Sequence, residues 1–198
     1  MKKWLIPVGI IAVIVIALYS WVKGFNNNAV TLNENIRESW GNVQTAYQRR
    51  NDLIDNLVNT VKGAADFERG TLEAVVKARA EATKTVIDPS NITPEQLAEF
   101  QKSQGGVSSA LSRLLVTVEN YPDLKANQNF LKLQDELTST ENQILTARTR
   151  FNEAVKPYNN HILIFPNSIL AGILNFKEKA YFESVEGADT PTEVQFNF

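Results

Sequence analysis

Residues 36–64 read IRESWGNVQTAYQRRNDLIDNLVNTVKGA. Ile36, Trp40, Val43, Tyr47, Arg50, Ile54, Leu57, Val61 and Ala64 recur there at alternating steps of four and three. That spacing sets one row of side chains along a helix, the seam of a heptad repeat, whereas a strand would alternate at every second residue. The stretch therefore commits the chain to long helices packed side by side. It also places one arginine inside an otherwise apolar row.

Downstream, Gly63 and Gly70 weaken two turns, and Leu72, Val75, Arg79, Ala82 and Val86 resume the spacing. This predicts one long helix from residue 30 to residue 85, bent near the glycines. Asp88-Pro89-Ser90-Asn91 reads as a loop. Thr93-Pro94-Glu95-Gln96 reads as a helix start, with Thr93 as N-cap, proline in the first turn and Gln96 closing a capping box. Leu97, Phe100, Gln104, Val107, Leu111, Leu114 and Val118 form a second seam, which Tyr121-Pro122-Asp123 ends. A third seam runs Phe130, Gln134, Leu137, Glu141, Ile144, Arg148, Phe151, Val155, Tyr158 and Ile162. Phe165-Pro166 breaks it, and a short fourth helix is expected through Phe182. The connections are short, so the fold class is all-α: an up-down antiparallel four-helix bundle of long helices.

Upstream, Trp4 to Val22 form nineteen uncharged residues, flanked by Lys2 and Lys3 before and Lys23 after. As a helix the run spans roughly 28 Å, close to a bilayer's hydrocarbon thickness. Trp4, Tyr19 and Trp21 stand at its ends, where amphipathic rings prefer the headgroup level. A cleaved signal peptide would have a shorter apolar core and a small-residue cleavage site, and bulky Tyr19 and Trp21 stand where that site would be. A soluble core helix is the other alternative. The expected order is a transmembrane anchor over 1–23, a polar linker over 24–29, the bundle over 30–183 and a tail over 184–198. Two lysines before the span against one after it point to a cytoplasmic N-terminus and an extracytoplasmic bundle.

The chain has 198 residues and no cysteine, which excludes disulfides, zinc-thiolate sites and thiol catalysis. Lys2, Lys3 and Lys23 are three of its 20 basic residues, so the remaining 17 face 22 acidic ones, a balance near −5. That argues against a nucleic-acid partner. His161 is the single histidine and most simply a packing residue. No Glu-x-x-His pair, zinc-ligand spacing, phosphate loop or nucleophile elbow occurs, so neither catalysis nor a cofactor or metal is expected.

Charges within the seams are the sharper signal, because a buried charge is costly unless paired. With helix one running to residue 85, counting along the helices sets Glu141 level with residue 76. This predicts a buried Glu141–Arg79 pair, with Arg148 joining Glu141 or capping helix ends near the upper turn; the alternative is that all three snorkel outward. The same count leaves residues 30–58 without a long neighbour. Ile36, Trp40, Val43, Tyr47, Arg50 and Ile54 would then form an uncovered stripe, and self-association is expected there. A downward shift of helix two, or a break near Gly63, would instead let the chain cover itself. The tail ends in alternating Val194, Phe196 and Phe198. It reads either as disordered or as a segment that docks on a partner's sheet edge or in a groove.

Residues 49–79 (RRNDLIDNLVNTVKGAADFERGTLEAVVKAR), 121–159 and 165–183 (FPNSILAGILNFKEKAYFE) resemble the signature segments of the LemA family. The resemblance implies a bacterial membrane-anchored four-helix bundle with no established enzymatic activity. It also implies TPM-domain proteins or membrane metalloproteases as partners. Asp55 departs from the proline usual in the family, which implies a straighter first helix. The expectation is a non-enzymatic scaffold in the bacterial inner membrane, in contact with lipid and a homo-oligomer. The alternative is a monomeric adaptor or regulator of a membrane protease.

Overall fold

The computed structural model describes residues 4–63, 67–89 and 92–183, and these are all-helical, with no strand among them. The helices are α1 (Leu5–Lys62), α2 (Arg69–Lys84), α3 (Pro94–Val118), the single turn α4 (Pro122–Lys125), α5 (Gln128–Leu163) and α6 (Asn167–Ile173).

α1 joins the apolar run and the first seam in one helix of 58 residues, roughly 87 Å long. The expected linker is therefore absent, and residues 24–29 are helical. The cause is packing: Phe25 and Ala29 are buried against the rest of the chain, so the polar Asn26–Asn28 stretch sits on the outer side of a helix already anchored inside.

The second departure is at Gly63. α1 stops there, and α2 comes back alongside it, with Arg79 Nη2 on α2 donating to Asp55 Oδ2 on α1 at 2.5 Å. A seam that resumes after two glycines reads the same in sequence whether the helix continues or doubles back. Val86 then falls beyond the end of α2 and is exposed. Ala64 lies outside the described residues.

α3 starts as expected: Gln96 N donates to Thr93 Oγ1 at 3.3 Å and Thr93 N donates to Gln96 Oε1 at 3.1 Å. α5 runs back along α1, since Phe25 meets His161, Trp40 meets Phe151 and Arg50 meets Glu141.

α6 ends far short of Phe182. Asn175 closes it with φ 57°, a left-handed conformation that asparagine tolerates, while Phe176 N donates to Ala171 O at 2.9 Å and Asn175 N to Gly172 O at 3.4 Å. Residues 176–183 continue as an irregular strap laid along α5.

The core falls into two clusters. The lower one gathers Phe25, Ile36, Trp40, Phe100, Phe151 and Phe182 among others. The upper one gathers Ile54, Leu57, Leu72, Val107, Leu114 and Leu137 among others. Arg50, Gln104 and Glu141 lie between them in sequence on α1, α3 and α5.

Candidate functional site

Arg50 belongs to the seam of α1 and is 1% exposed. Its Nη1 donates to Glu141 Oε1 at 3.2 Å and to Ser108 Oγ at 3.3 Å, and its Nη2 donates to Gln104 Oε1. Its guanidinium lies 4.9 Å from the centre of the Tyr47 ring. Gln104 Nε2 in turn donates to the Ala82 carbonyl at 3.4 Å. One cation thus ties α1, α3 and α5 directly, and α2 through Gln104. Among the described residues Arg50 Nε has no partner, and neither does the buried Trp40 Nε1. Burial pushes the Tyr47 hydroxyl above its ordinary pKa, against the opposing pull of Arg148 and Arg50.

The expected buried pair is not the one that forms. Glu141 pairs with Arg50, while Arg79 pairs with Asp55 near the surface. The misassignment follows from the helix break: the level count assumed that helix one continued past Gly63, and α2 runs the other way. Asp55, which stands where the family usually has proline, is the partner of Arg79. Arg148 joins neither acid. Its Nη2 donates to the Glu183 carbonyl at 2.8 Å, and its guanidinium lies 4.9 Å from the centre of the Phe182 ring.

The stripe expected to be uncovered is covered from within. Ile36, Trp40, Val43, Tyr47, Arg50 and Ile54 are each 6% exposed or less. α5, α3 and the strap reach them, with Trp40 ringed by Phe100, Phe151 and Phe182 at 5.4 to 6.1 Å. The apolar stripe is thus consumed by the chain's own fold.

The strap is held by its backbone. Asn159 Nδ2 donates to Lys179 O at 2.8 Å and its Oδ1 accepts from Lys179 N at 2.9 Å. Asn152 repeats this on Phe182, at 2.9 Å and 2.8 Å. Tyr158 Oη donates to Lys177 O at 3.1 Å, and Gln101 Nε2 donates to Glu183 O at 3.0 Å. Seven helical residues rise about 10.5 Å and three extended residues span about 10 Å, so the two asparagines match the strap in register. Burial lowers the Lys179 pKa and Asp88 opposes that; burial raises that of Tyr158. The clamp escaped the sequence reading, although Phe151-Asn152 and Tyr158-Asn159 repeat one aromatic–asparagine pair a heptad apart.

At the lower end, His161 joins α1, α5 and α6. Its ring stacks on Phe25 at 4.9 Å, its Nε2 meets the Phe25 carbonyl at 3.0 Å, and its Nδ1 lies 3.2 Å from Asn28 Nδ2 and 3.3 Å from Asn167 Nδ2. Trp21 Nε1 donates to Asn167 Oδ1 at 3.3 Å. Trp4 and Tyr19 are exposed along the apolar run, which is long and apolar enough to cross a membrane and is not buried by the rest of the chain. No group of three or more metal-ligating residues comes together among the described residues. Val194, Phe196 and Phe198 lie outside them.

The LemA family model matches residues 39–196. The chain belongs to the LemA family. Its relatives include magnetosome protein MamQ 2 of Paramagnetospirillum magneticum, 28% identical over 182 residues, 83% of this chain and 67% of that one. MamQ of Magnetospirillum gryphiswaldense matches with the same identity and coverage. Protein LemA of Metamycoplasma hominis is 25% identical over 175 residues, covering 88% of this chain and 76% of its own. The apolar helix and these relatives together fit a membrane anchor carrying an all-helical LemA-family domain.

Proposed function

We propose that this LemA-family protein is a non-enzymatic, membrane-anchored scaffold that holds an up-down four-helix bundle on a rigid stalk. The observation carrying the reading is the continuity of α1, in which apolar run and bundle core share one helix. A tethered enzyme would gain nothing from that stiffness, whereas a protein that positions a surface at a set height and angle depends on it. Alternation of chain direction from Phe25–His161, Arg50–Glu141 and Arg79–Asp55 supports the up-down arrangement. Relatives whose names attach them to the magnetosome favour a structural part in a membrane assembly. The lysine bias, two before the span against one after it, supports a bundle outside the cytoplasm.

Self-association is assigned to the anchor, whose apolar faces are all exposed, and no longer to the seam of α1. A membrane metalloprotease or TPM-domain protein would be a partner recruited to the bundle. The test is the mass of the full chain in detergent and in lipid nanodiscs, with cross-linking, over a range of concentrations. Multimers that form with the anchor and persist after Ile36 or Val43 is varied support the scaffold. A monomer at every concentration overturns self-association and leaves the adaptor.

A further inference from the structure

Residues 162–176, ILIFPNSILAGILNF, contain no charged side chain. The stretch is the turn from α5 through α6. Ile162, Leu170 and Ala171 point inward and are buried. Leu163, Ile164, Phe165, Ile169 and Ile173 point outward, at 54%, 61%, 75%, 52% and 73% exposure. So large a cluster of outward-facing apolar side chains on one turn is costly in water.

Its position says what covers it. The Trp21–Asn167 and Phe25–His161 contacts set the turn level with the end of the apolar run of α1. α1 is continuous, so no hinge lets the turn leave that level. The nearest flanking charges are Lys23 on α1 and Lys177 after the turn, both suited to anionic headgroups, with Glu178 next to Lys177.

We propose that the α5–α6 turn is a second membrane contact, seating Phe165, Ile169 and Ile173 in the interface of the bilayer that α1 spans. This rests on reading Trp4–Val22 as a bilayer span. Interfacial elements of this kind lie roughly 5–10 Å into the headgroup and acyl boundary. A second contact packed against the rigid α1 then fixes the tilt of the bundle as well as its height.

The chain has no cysteine, so single labels can be placed at will. Phe165→Cys, Ile169→Cys and Ile173→Cys are each labelled with an environment-sensitive fluorophore in the full chain. Val13→Cys serves as anchor control and Val116→Cys as exposed control. The proteins are reconstituted in vesicles of phosphatidylcholine and phosphatidylglycerol carrying brominated acyl chains. The expected order of quenching is Val13 strongest, the three turn positions intermediate and Val116 absent. Quenching at Val13 with none at all three turn positions overturns the proposal and leaves the anchor standing. No quenching at Val13 overturns the anchor reading, and the proposal falls with it. Turn labels shielded from both bromolipid and aqueous iodide, more so at higher protein density, assign the patch to a second copy and also overturn the proposal.

Discussion

Arg50 is a buried cation whose acidic partner keeps one side in water: the Glu141 side chain is 45% exposed against 2% for Arg50. Removing the arginine leaves Gln104 Oε1 and Ser108 Oγ without it and empties the space its buried side chain fills, so Arg50→Ala should cost about 3–5 kcal/mol and lower the melting temperature by about 6–20 °C. Glu141→Gln keeps an acceptor for Arg50 Nη1 but leaves the buried guanidinium without an acid, so it should cost about 3 kcal/mol. A double-mutant cycle by thermal melting separates the pairs: Arg50 with Glu141 should couple, and Arg79 with Glu141 should not. A coupled Arg79–Glu141 pair would contradict the geometry. Tyr47 gives a pH signature. Its folded pKa is raised by burial, so the unfolded tyrosine ionises first, near pH 10. The stability it confers is complete below that pH and is lost as pH climbs through the folded value. Lys179 runs the other way: burial depresses its folded pKa, so its contribution rises with pH until the unfolded lysine has also lost its proton. Chemical denaturation between pH 8 and 11 should show stability falling above pH 10, and less steeply in Tyr47→Phe. That an arginine stands in the seam was legible in the heptad, whereas its burial within the chain was not. Its partner was not, because partnership depends on chain direction and period carries no direction.

The strap shows what local pattern misses. Residues 174–182 contain good helix formers, yet they are not helical, because Asn152 and Asn159 take their backbone groups and Phe182 fills the box of Trp40, Phe100 and Phe151. Helix propensity of a few tenths of a kcal/mol per residue cannot compete with burial of an aromatic ring. Asn152→Ala should cost about 1–3 kcal/mol by stranding both Phe182 backbone groups. Hydrogen exchange should show the Phe182 amide losing protection in that variant more than the Lys179 amide. Equal loss at both would mean that the strap detaches as one unit. Phe182→Ala should cost about 3–5 kcal/mol and make residues 176–183 the first site cut by protease. The turn at Gly63 teaches a similar lesson. Both glycines were visible, but a heptad that resumes reads alike as one bent helix or as two helices side by side. Only Arg79 meeting Asp55 decides for the second.

At the scale of the whole molecule, α1 carries the apolar run into the bundle without a break, and its stiffness is testable. Asn27→Pro removes one helical hydrogen bond and crowds the carbonyl of Lys23, at a cost of about 3 kcal/mol. Spin labels at Leu18 and Asn160 should show one narrow distance in the native chain and a broadened one in the variant; an unchanged distribution would mean that the bundle is held to the bilayer by other means. The anchor was legible from hydropathy alone. Its fusion with the first seam was not, since Lys23 to Ala29 reads as polar and only the burial of Phe25 and Ala29 keeps it helical. An unbroken helix has one further consequence, which concerns azimuth rather than height. Each residue inserted after Leu18 turns the anchor by about 100° about the helix axis, so a seven-residue insertion nearly restores the starting face and a two-residue one points it away. If neighbours in the membrane grip a particular side of the span, cross-linking to them should rise and fall with inserted length at the period of the helix.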